Sequence, residues 1–417
     1  FSGIHQLPPG HYLCLKGDKV EVRQFWKLEQ IDLPADISQP EAQQMFRDKL
    51  LKSVEKRIFA ERPLGIFLSG GIDSSLVLCA VQELGIRNIE TFSIGFSHSD
   101  FDESKYAKGI ADFVGSSHHE LILEPDPNFF VETYPKFMDI PYADSSFLPT
   151  FMLSQFATQH IKVALSGDGG DESFGGYQRY RANVQLEKLF KIVPPIPLPH
   201  LLLKDRLHNK LYRSIKIRNF GDRYDSMMRL YSDYLLEKVF STWVDDSSSG
   251  SYSPAHAKIK NSTNTLIEMQ SYDVKQYLPS DLLVKMDMAS MANGLEVRSP
   301  FLDPDLFAFG YSLPMNLKIR NGKGKFLARE LLAEFLPRDL FERPKQGFAI
   351  PRAEWLRGPL KSVVHDVLFS TQARSRGWFS QAFLAEIVKK HERGWDLDEL
   401  IWPVLMVEIW ARNWIDQ

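Results

Sequence analysis

The sequence predicts an α/β protein with a doubly wound parallel sheet, followed by a mostly helical C-terminal half. Three observations carry that prediction. Short apolar, β-rich runs alternate with helix-length segments between residues 64 and 167, the pattern of βα units rather than of hairpins. Two of those runs end in a serine and glycine, at Ser69-Gly70-Gly71 and at Ser166-Gly167. Beyond Tyr177 strand-like runs cease and helical spacing prevails.

The elements follow in order. Residues 10–28, GHYLCLKGDKVEVRQFWKL, alternate apolar and polar around Gly17-Asp18, as a β-hairpin does. IDLPADISQP (31–40) carries two prolines and little periodicity and reads as a linker. From Glu41 to Phe59, Met45, Leu50, Val54 and Ile58 fall on one helical face. GIFLS is the first sheet strand, and SSLVLCAVQELG is a helix stopped by Gly85. IETFSIGF, HHELIL and IKVALSG are further strands. DESKYAKGIADFVG, ended by Gly115, and SFLPTFMLSQFAT are the helices between them, with Pro149 in a first turn that tolerates it. KIVPPIPLPH (191–200) is a proline-rich connection and DDSSSGSYS (245–253) an exposed loop. Near the C-terminus Trp402, Met406 and Trp410 recur at helical spacing and are assigned to core packing.

Composition narrows the function classes. The chain has 417 residues, 44% of them hydrophobic, enough core for about two or three domains. A formal net charge of -3 offers no field for nucleic acid or an anionic membrane. No apolar run approaches the ~20 residues of a membrane span. Cys14 and Cys79 are the only cysteines and form no CxxC pair, so a reducing, cytoplasmic setting is expected. The opening FSGIHQLPPGHYL has neither an initiator Met nor a nucleophile at position 1, which suggests a fragment or residues preceding Phe1.

The glycine turns carry the chemistry. A strand that ends in Ser69-Gly70-Gly71 and runs straight into a helix offers several backbone N–H groups and a helix N-terminus to one anion. Neither GxxxxGK[ST] nor GxGxxG is present. The turn has instead Asp73, a hard oxygen ligand suited to Mg²⁺ beside phosphates; a plain helix cap is the competing reading. The second turn, VALSGDGGDESFGGYQRY (163–180), gathers Asp168, Asp171 and Glu172 among glycines. In open parallel sheets ligands bind beyond the carboxyl ends of the strands. Both turns are therefore expected on one edge, with Asp73 and Asp171 sharing one Mg²⁺ against a polyphosphate. His118 and His119 lack a third ligand at suitable spacing and are given structural or pocket-lining roles; Glu296 and Arg298 are expected to pair with each other.

Ser-Gly-Gly-Ile-Asp-Ser (69–74) resembles the pyrophosphate loop of the N-type ATP pyrophosphatases. With FLSGGIDSS, TFSIGF, FDESKYA, HHE, ALSGDGGDESFGGY, LLVKMDMASMANGLEVRSPFLD and RPKQGFAIP in order, the chain from about residue 41 is similar to the synthetase domain of glutamine-hydrolysing asparagine synthetases. The resemblance implies an adenine nucleotide alpha hydrolase-like core over 41–180 and a mainly helical remainder over 181–417. Residues 1–30 resemble the tail of an N-terminal glutaminase domain, with 31–40 as linker. It implies ATP and pyrophosphate binding by Leu68, Ser69, Gly70, Gly71, Asp73 and Ser74. Ile94 would give a backbone contact to adenine, Ser166 and Gly167 a second nucleotide turn, and Asp73 and Asp171 the Mg²⁺ ligands. Asp168, where relatives often carry Glu, and Lys345 would be catalytic.

The implied reaction adenylates a carboxylate, L-aspartate first, and passes it to ammonia; glutamine hydrolysis is not expected of this chain alone. Ammonia, free or glutamine-derived, is the implied partner substrate; no nucleic acid or membrane is implied, and a homodimer is left open. Ile140 and Asp144 depart from the family where it builds the acceptor pocket, which keeps another carboxylate, or closure of a lactam, as an alternative. tRNA thiolation and an inactive nucleotide-binding scaffold rank below.

Overall fold

The computed structural model describes residues 4–34, 36–97, 102–192, 217–241, 264–342 and 350–416. Lys345, residues 193–200 and the 245–253 loop lie outside them. The chain opens with an antiparallel hairpin, β1 (His11–Lys16) and β2 (Lys19–Gln24), closed by Lys16 opposite Lys19. Helix α1 (Gln39–Ile58) starts where Ser38 Oγ accepts the Glu41 N–H at 3.4 Å and Pro40 occupies the first turn.

Then come β3 (Leu64–Phe67), α2 (Ile72–Glu83), β4 (Glu90–Phe96), α3 (Ser104–Val114), β5 (Ser117–Leu123), α4 (Phe147–Ala157), β6 (Val163–Leu165), α5 (Gly170–Phe174) and α6 (Gln178–Ile192). Gly85 and Gly115 follow α2 and α3 with φ of +88° and +76°, the left-handed stop expected of glycine.

The helical half contributes α7 (Phe220–Met228), α8 (Asp233–Val239), α9 (Thr265–Lys275), α10 (Leu283–Met291), α11 (Pro304–Ser312) and α12 (Phe326–Leu332). Shorter helices lead to α13 (Asp398–Trp414), in which Trp402 and Met406 are 0% exposed and Trp410 6%.

The sheet corrects one expectation. Strands do not end before Tyr177: β7 (Glu296–Arg298), from the helical half, pairs parallel with β6 through Leu165 opposite Arg298. The five strands run parallel in the order β5-β4-β3-β6-β7. Glu-Val-Arg is too short and too polar to announce a strand; only pairing with β6 makes it one.

Each sheet face has its own core. Ile66 and Leu68 pack with α1, α2, α3 and α12, around Phe46, Val77 and Ala107. Phe67, Phe92, Ile94 and Phe96 face the other way, onto α4 and α13 through Phe147, Phe151 and Trp402. The alternation from Ile66 to Leu68 is the period of two that a strand buried on both faces requires. In this two-sided burial the carboxyl ends of β3, β6 and β7 come level, and the candidate site lies along that edge.

Candidate functional site

The first turn leaves β3 at Leu68, whose N–H still reaches the Phe92 carbonyl of β4 at 2.8 Å. Gly70 then turns the chain at φ +70°, and a Cβ there would meet the Ala107 backbone at 2.7 Å; only glycine fits the close passage over α3. Helix α2 follows with Gly71 as its N-cap and no side-chain cap, so its leading N–H groups face the turn rather than a capping oxygen. Ser69 and Ser74 are tied into the loop itself: their hydroxyls lie 3.1 Å apart, and Ser74 Oγ donates to the Gly71 carbonyl at 3.3 Å.

Phe92 gives its carbonyl to Leu68, so Ile94, two residues on, turns its N–H and C=O to the same side, past the last β3 pairing at Phe67. Its side chain is 5% exposed and committed to the core, leaving the backbone as what Ile94 offers this edge.

The second turn starts from β6, next to β3. Ser166 takes the Arg298 carbonyl at 3.0 Å; its hydroxyl donates to Asp168 Oδ2 at 2.7 Å and lies 2.7 Å from Ser299 Oγ of the segment after β7. Gly167 sits against Asp73, where an added Cβ would come within 2.8 Å of the Asp73 Cβ. The two turns thus touch.

The three acids of this turn go to three different environments. Asp168 is held by Ser166. Asp171 turns toward Asp73, and Lys325 joins them: its ammonium pairs with Asp73 and, at 2.7 Å, with Asp171 Oδ1. Burial works against that charge, but Asp171 and Asp73 outweigh it and hold Lys325 protonated above the ordinary lysine value.

Glu172 turns inward. It is 1% exposed and accepts from Tyr177 Oη at 2.5 Å. Burial, reinforced by Asp171, raises its carboxyl to about 7. The folded state therefore holds a proton that the unfolded chain releases, and stability falls as pH rises from about 4.5 to about 7 before levelling. Glu172→Gln is expected to gain on the unsubstituted chain by up to about 3 kcal/mol from about pH 5 to about pH 8, read from urea midpoints. A difference that stays flat with pH would show that Glu172 titrates at its ordinary value.

The turn is braced from behind by α9. Gln270 donates to the carbonyls of Glu172 and Ser173 at 2.5 and 2.9 Å, and Lys318 donates to Gln270 Oε1 at 2.8 Å. Deeper still, Asp273 is 0% exposed and accepts from Arg179, Tyr180 and Tyr224.

Mg²⁺ fits this donor set. Two carboxylates converge on one cation, which here is the lysine ammonium. A Cβ at Gly170 would meet the Asp73 carboxylate at 2.5 Å, and one at Gly176 would run into Asp171 and Lys325. Hard oxygen ligands and a glycine-lined approach are what a cation paired with phosphates needs.

The structure thus brings Leu68, Ser69, Gly70, Gly71, Asp73, Ser74, Ile94, Ser166, Gly167, Asp168 and Asp171 to one sheet edge. Lys345 lies outside the described residues. Sequence reasoning missed Lys325 and Ser299. The run NGKGK (321–325) ahead of a helix marks a turn, but nothing local ties it to Asp73. His118 lies between Thr91 and Ser93 side chains at 3.0 and 3.1 Å, and His119 pairs with Glu90 at 2.5 Å. Arg298 pairs with Glu296 at 2.7 Å, as expected, and also donates to the Arg57 and Phe59 carbonyls at the end of α1.

A parallel sheet whose glycine turn opens an uncapped helix N-terminus beside two carboxylates makes this an α/β protein with an open turn at the carboxyl edge of its sheet. The chain belongs to the asparagine synthase family, whose model matches residues 45–412. It is 28% identical to glutamine-hydrolyzing asparagine synthetase 1 of Bacillus subtilis, over 98% of this chain and 65% of that protein. A putative glutamine-hydrolyzing asparagine synthetase of Mycobacterium tuberculosis H37Rv is 32% identical, over 87% of this chain and 56% of that one. Amidase chyE of Penicillium rubens is 27% identical, over 94% and 65%. The chain thus spans between 56% and 65% of the length of these relatives.

Proposed function

We propose that this chain is the synthetase module of an ATP-dependent, amide-forming ligase that adenylates a carboxylate, L-aspartate first, and transfers ammonia to it. One observation carries the reading: two glycine turns on neighbouring parallel strands bring Asp73 and Asp171 onto a single cation position beside an open helix N-terminus. The N–H groups after Gly70 hold the β and γ phosphates, and the backbone of Ile94 meets the adenine. Asp73 and Asp171 would hold Mg²⁺, which when bound supplies positive charge against the polyphosphate.

A substrate carboxylate oxygen attacks the α-phosphorus as the bond to the bridging oxygen of pyrophosphate breaks. Ammonia then attacks the acyl carbon, loses a proton, and AMP departs. Activation is needed because a free carboxylate is a poor acyl donor. Asp168, in the turn beside the first, is assigned to the reacting centre, and Lys345 to charge on the α-phosphate.

A second reading, a different acceptor, follows from Ile140 and Asp144, which depart from the family where it builds its acceptor pocket. Asp281 accepts from Tyr142 Oη, and burial with the nearby Asp144 raises its carboxyl above the ordinary range. The name of the Penicillium rubens relative, an amidase, fits the same reading. tRNA thiolation is disfavoured: burial pushes the Cys79 thiol up to about 12.

The test is AMP and pyrophosphate release from ATP with Mg²⁺, ammonium and L-aspartate. Equal amounts of AMP and asparagine are expected. AMP release with another carboxylate alone would move the acceptor assignment, and failure to bind ATP with Mg²⁺ would overturn the reading.

A further inference from the structure

Lys325 is an unusual counter-ion. It is 5% exposed and has a left-handed backbone, φ +54°, at the N-cap of α12, a conformation that side chains other than glycine and asparagine rarely adopt. The position is imposed by packing: Leu327, Ala328 and Leu331 of α12 are 0% exposed in the core shared with α2. Its ammonium is therefore carried by a buried helix start and not by a surface segment. At its far end it meets both Asp73 and Asp171.

Charge counting shows what this arrangement does. Taken by themselves, the two carboxylates and the ammonium carry one net negative charge, with the Arg329 guanidinium near enough to Asp73 to act on it. A divalent cation added to them would leave one net positive charge, in a place shielded from water, and would compete for the oxygens the ammonium already holds. Buried charge of either sign is costly unless paired. A polyphosphate changes the balance, because it offers the ammonium another anion.

We propose that Lys325 is the resident counter-ion of the Asp73–Asp171 pair: its ammonium stands where the divalent cation would bind and makes metal uptake conditional on the nucleotide. This rests on the reading of the pair as a nucleotide–metal site. Lys325 is here a positioning residue that sets the order of binding, with metal entering alongside the polyphosphate and not before it.

The probe is Mn²⁺, followed by the electron paramagnetic resonance of the free ion. Without nucleotide, the unsubstituted chain is expected to bind Mn²⁺ no better than Asp73→Asn does. Adding an ATP analogue with a methylene bridge between the α and β phosphates should bring Mn²⁺ into the site of the unsubstituted chain. Lys325→Gln and Lys325→Met should bind Mn²⁺ without nucleotide at least about tenfold more tightly than the unsubstituted chain, and Asp73→Asn in the same background should erase the gain. Nucleotide-free Mn²⁺ binding by the unsubstituted chain that Asp73→Asn abolishes would overturn the proposal, and this comparison stands even if the lysine variants fail to fold. So would lysine variants that fold and show no gain. If the unsubstituted chain takes up no Mn²⁺ with the analogue, the functional reading falls too, which separates the two failures.

Discussion

Asp73→Asn is expected to lower AMP formation by at least about a thousandfold, equivalent to about 4 kcal/mol of lost transition-state stabilisation. The change keeps size and shape and removes one charge. Asp73 sits in the first turn of α2, beside the N–H groups assigned to the pyrophosphate, and shares Lys325 with Asp171. Removing its charge weakens the hold on any cation there and leaves the ammonium with a single carboxylate.

Folding should survive, because Lys325 keeps Asp171 at 2.7 Å and an amide can still accept a hydrogen bond from it. The kinetic signature is a fall in kcat together with a rise in the KM for ATP, as a group that acts on both bound and reacting phosphates requires. AMP release and thermal melting, measured on the same preparation, check it. A variant that folds and keeps more than about a tenth of the activity would remove Asp73 from the chemistry.

The second large effect lies behind the site. Asp273→Ala is expected to cost about 3–5 kcal/mol of stability. Asp273 receives Arg179 at 2.6 Å, Tyr180 at 2.5 Å and Tyr224 at 2.8 Å, all inside the protein. The guanidinium also lies over the Tyr177 and Tyr277 rings, at 3.6 and 4.8 Å from their centroids. Without the carboxylate those rings would hold a buried charge whose paired anion is gone, and two hydroxyls would lose their acceptor.

The comparison that isolates the cause is a double variant, Arg179→Met with Asp273→Leu. Removing both charges is expected to recover a large part of the loss, because an absent pair costs less than half a pair. Urea midpoints of the two variants against the unsubstituted chain decide it. If the double variant is as unstable as the single one, packing rather than charge explains the effect.

Much of the fold was legible because it is local. Strand, glycine turn and helix succeed one another within about twenty residues around Gly70, and the hydrophobic period changes from two to 3.6 as the chain passes the turn. Gly85 and Gly115 end their helices for reasons contained in their own φ angles. The hairpin at Gly17 and the buried stripe of Trp402, Met406 and Trp410 were readable in the same way. What escaped is non-local. β7 is three residues of mixed polarity, and it becomes a strand only because β6 offers it an edge.

The candidate site divides along the same line. Its two turns were visible as motifs, and their common edge followed from the rule for parallel sheets. The partition of the acids was not. In sequence, Asp168, Asp171 and Glu172 form one acidic cluster; in the fold the first is held by Ser166, the second by Lys325 and the third by Tyr177. Neighbours on a tight turn and short helix point in different directions, and their environments come from elements far along the chain.

The sequence by itself determined the parallel α/β core, the two glycine turns and the identity of the carboxylates beside them, since strand period, turn residues and helix starts are written in neighbouring positions. Only the tertiary structure decided which cation those carboxylates hold and which acid is driven inward to a value near 7. Lys325 reaches Asp73 across 252 positions, and Glu172 owes its proton to burial. Burial and long-range ion pairing are properties of the packed chain, set when separate helices close on one sheet edge, and no local pattern encodes them.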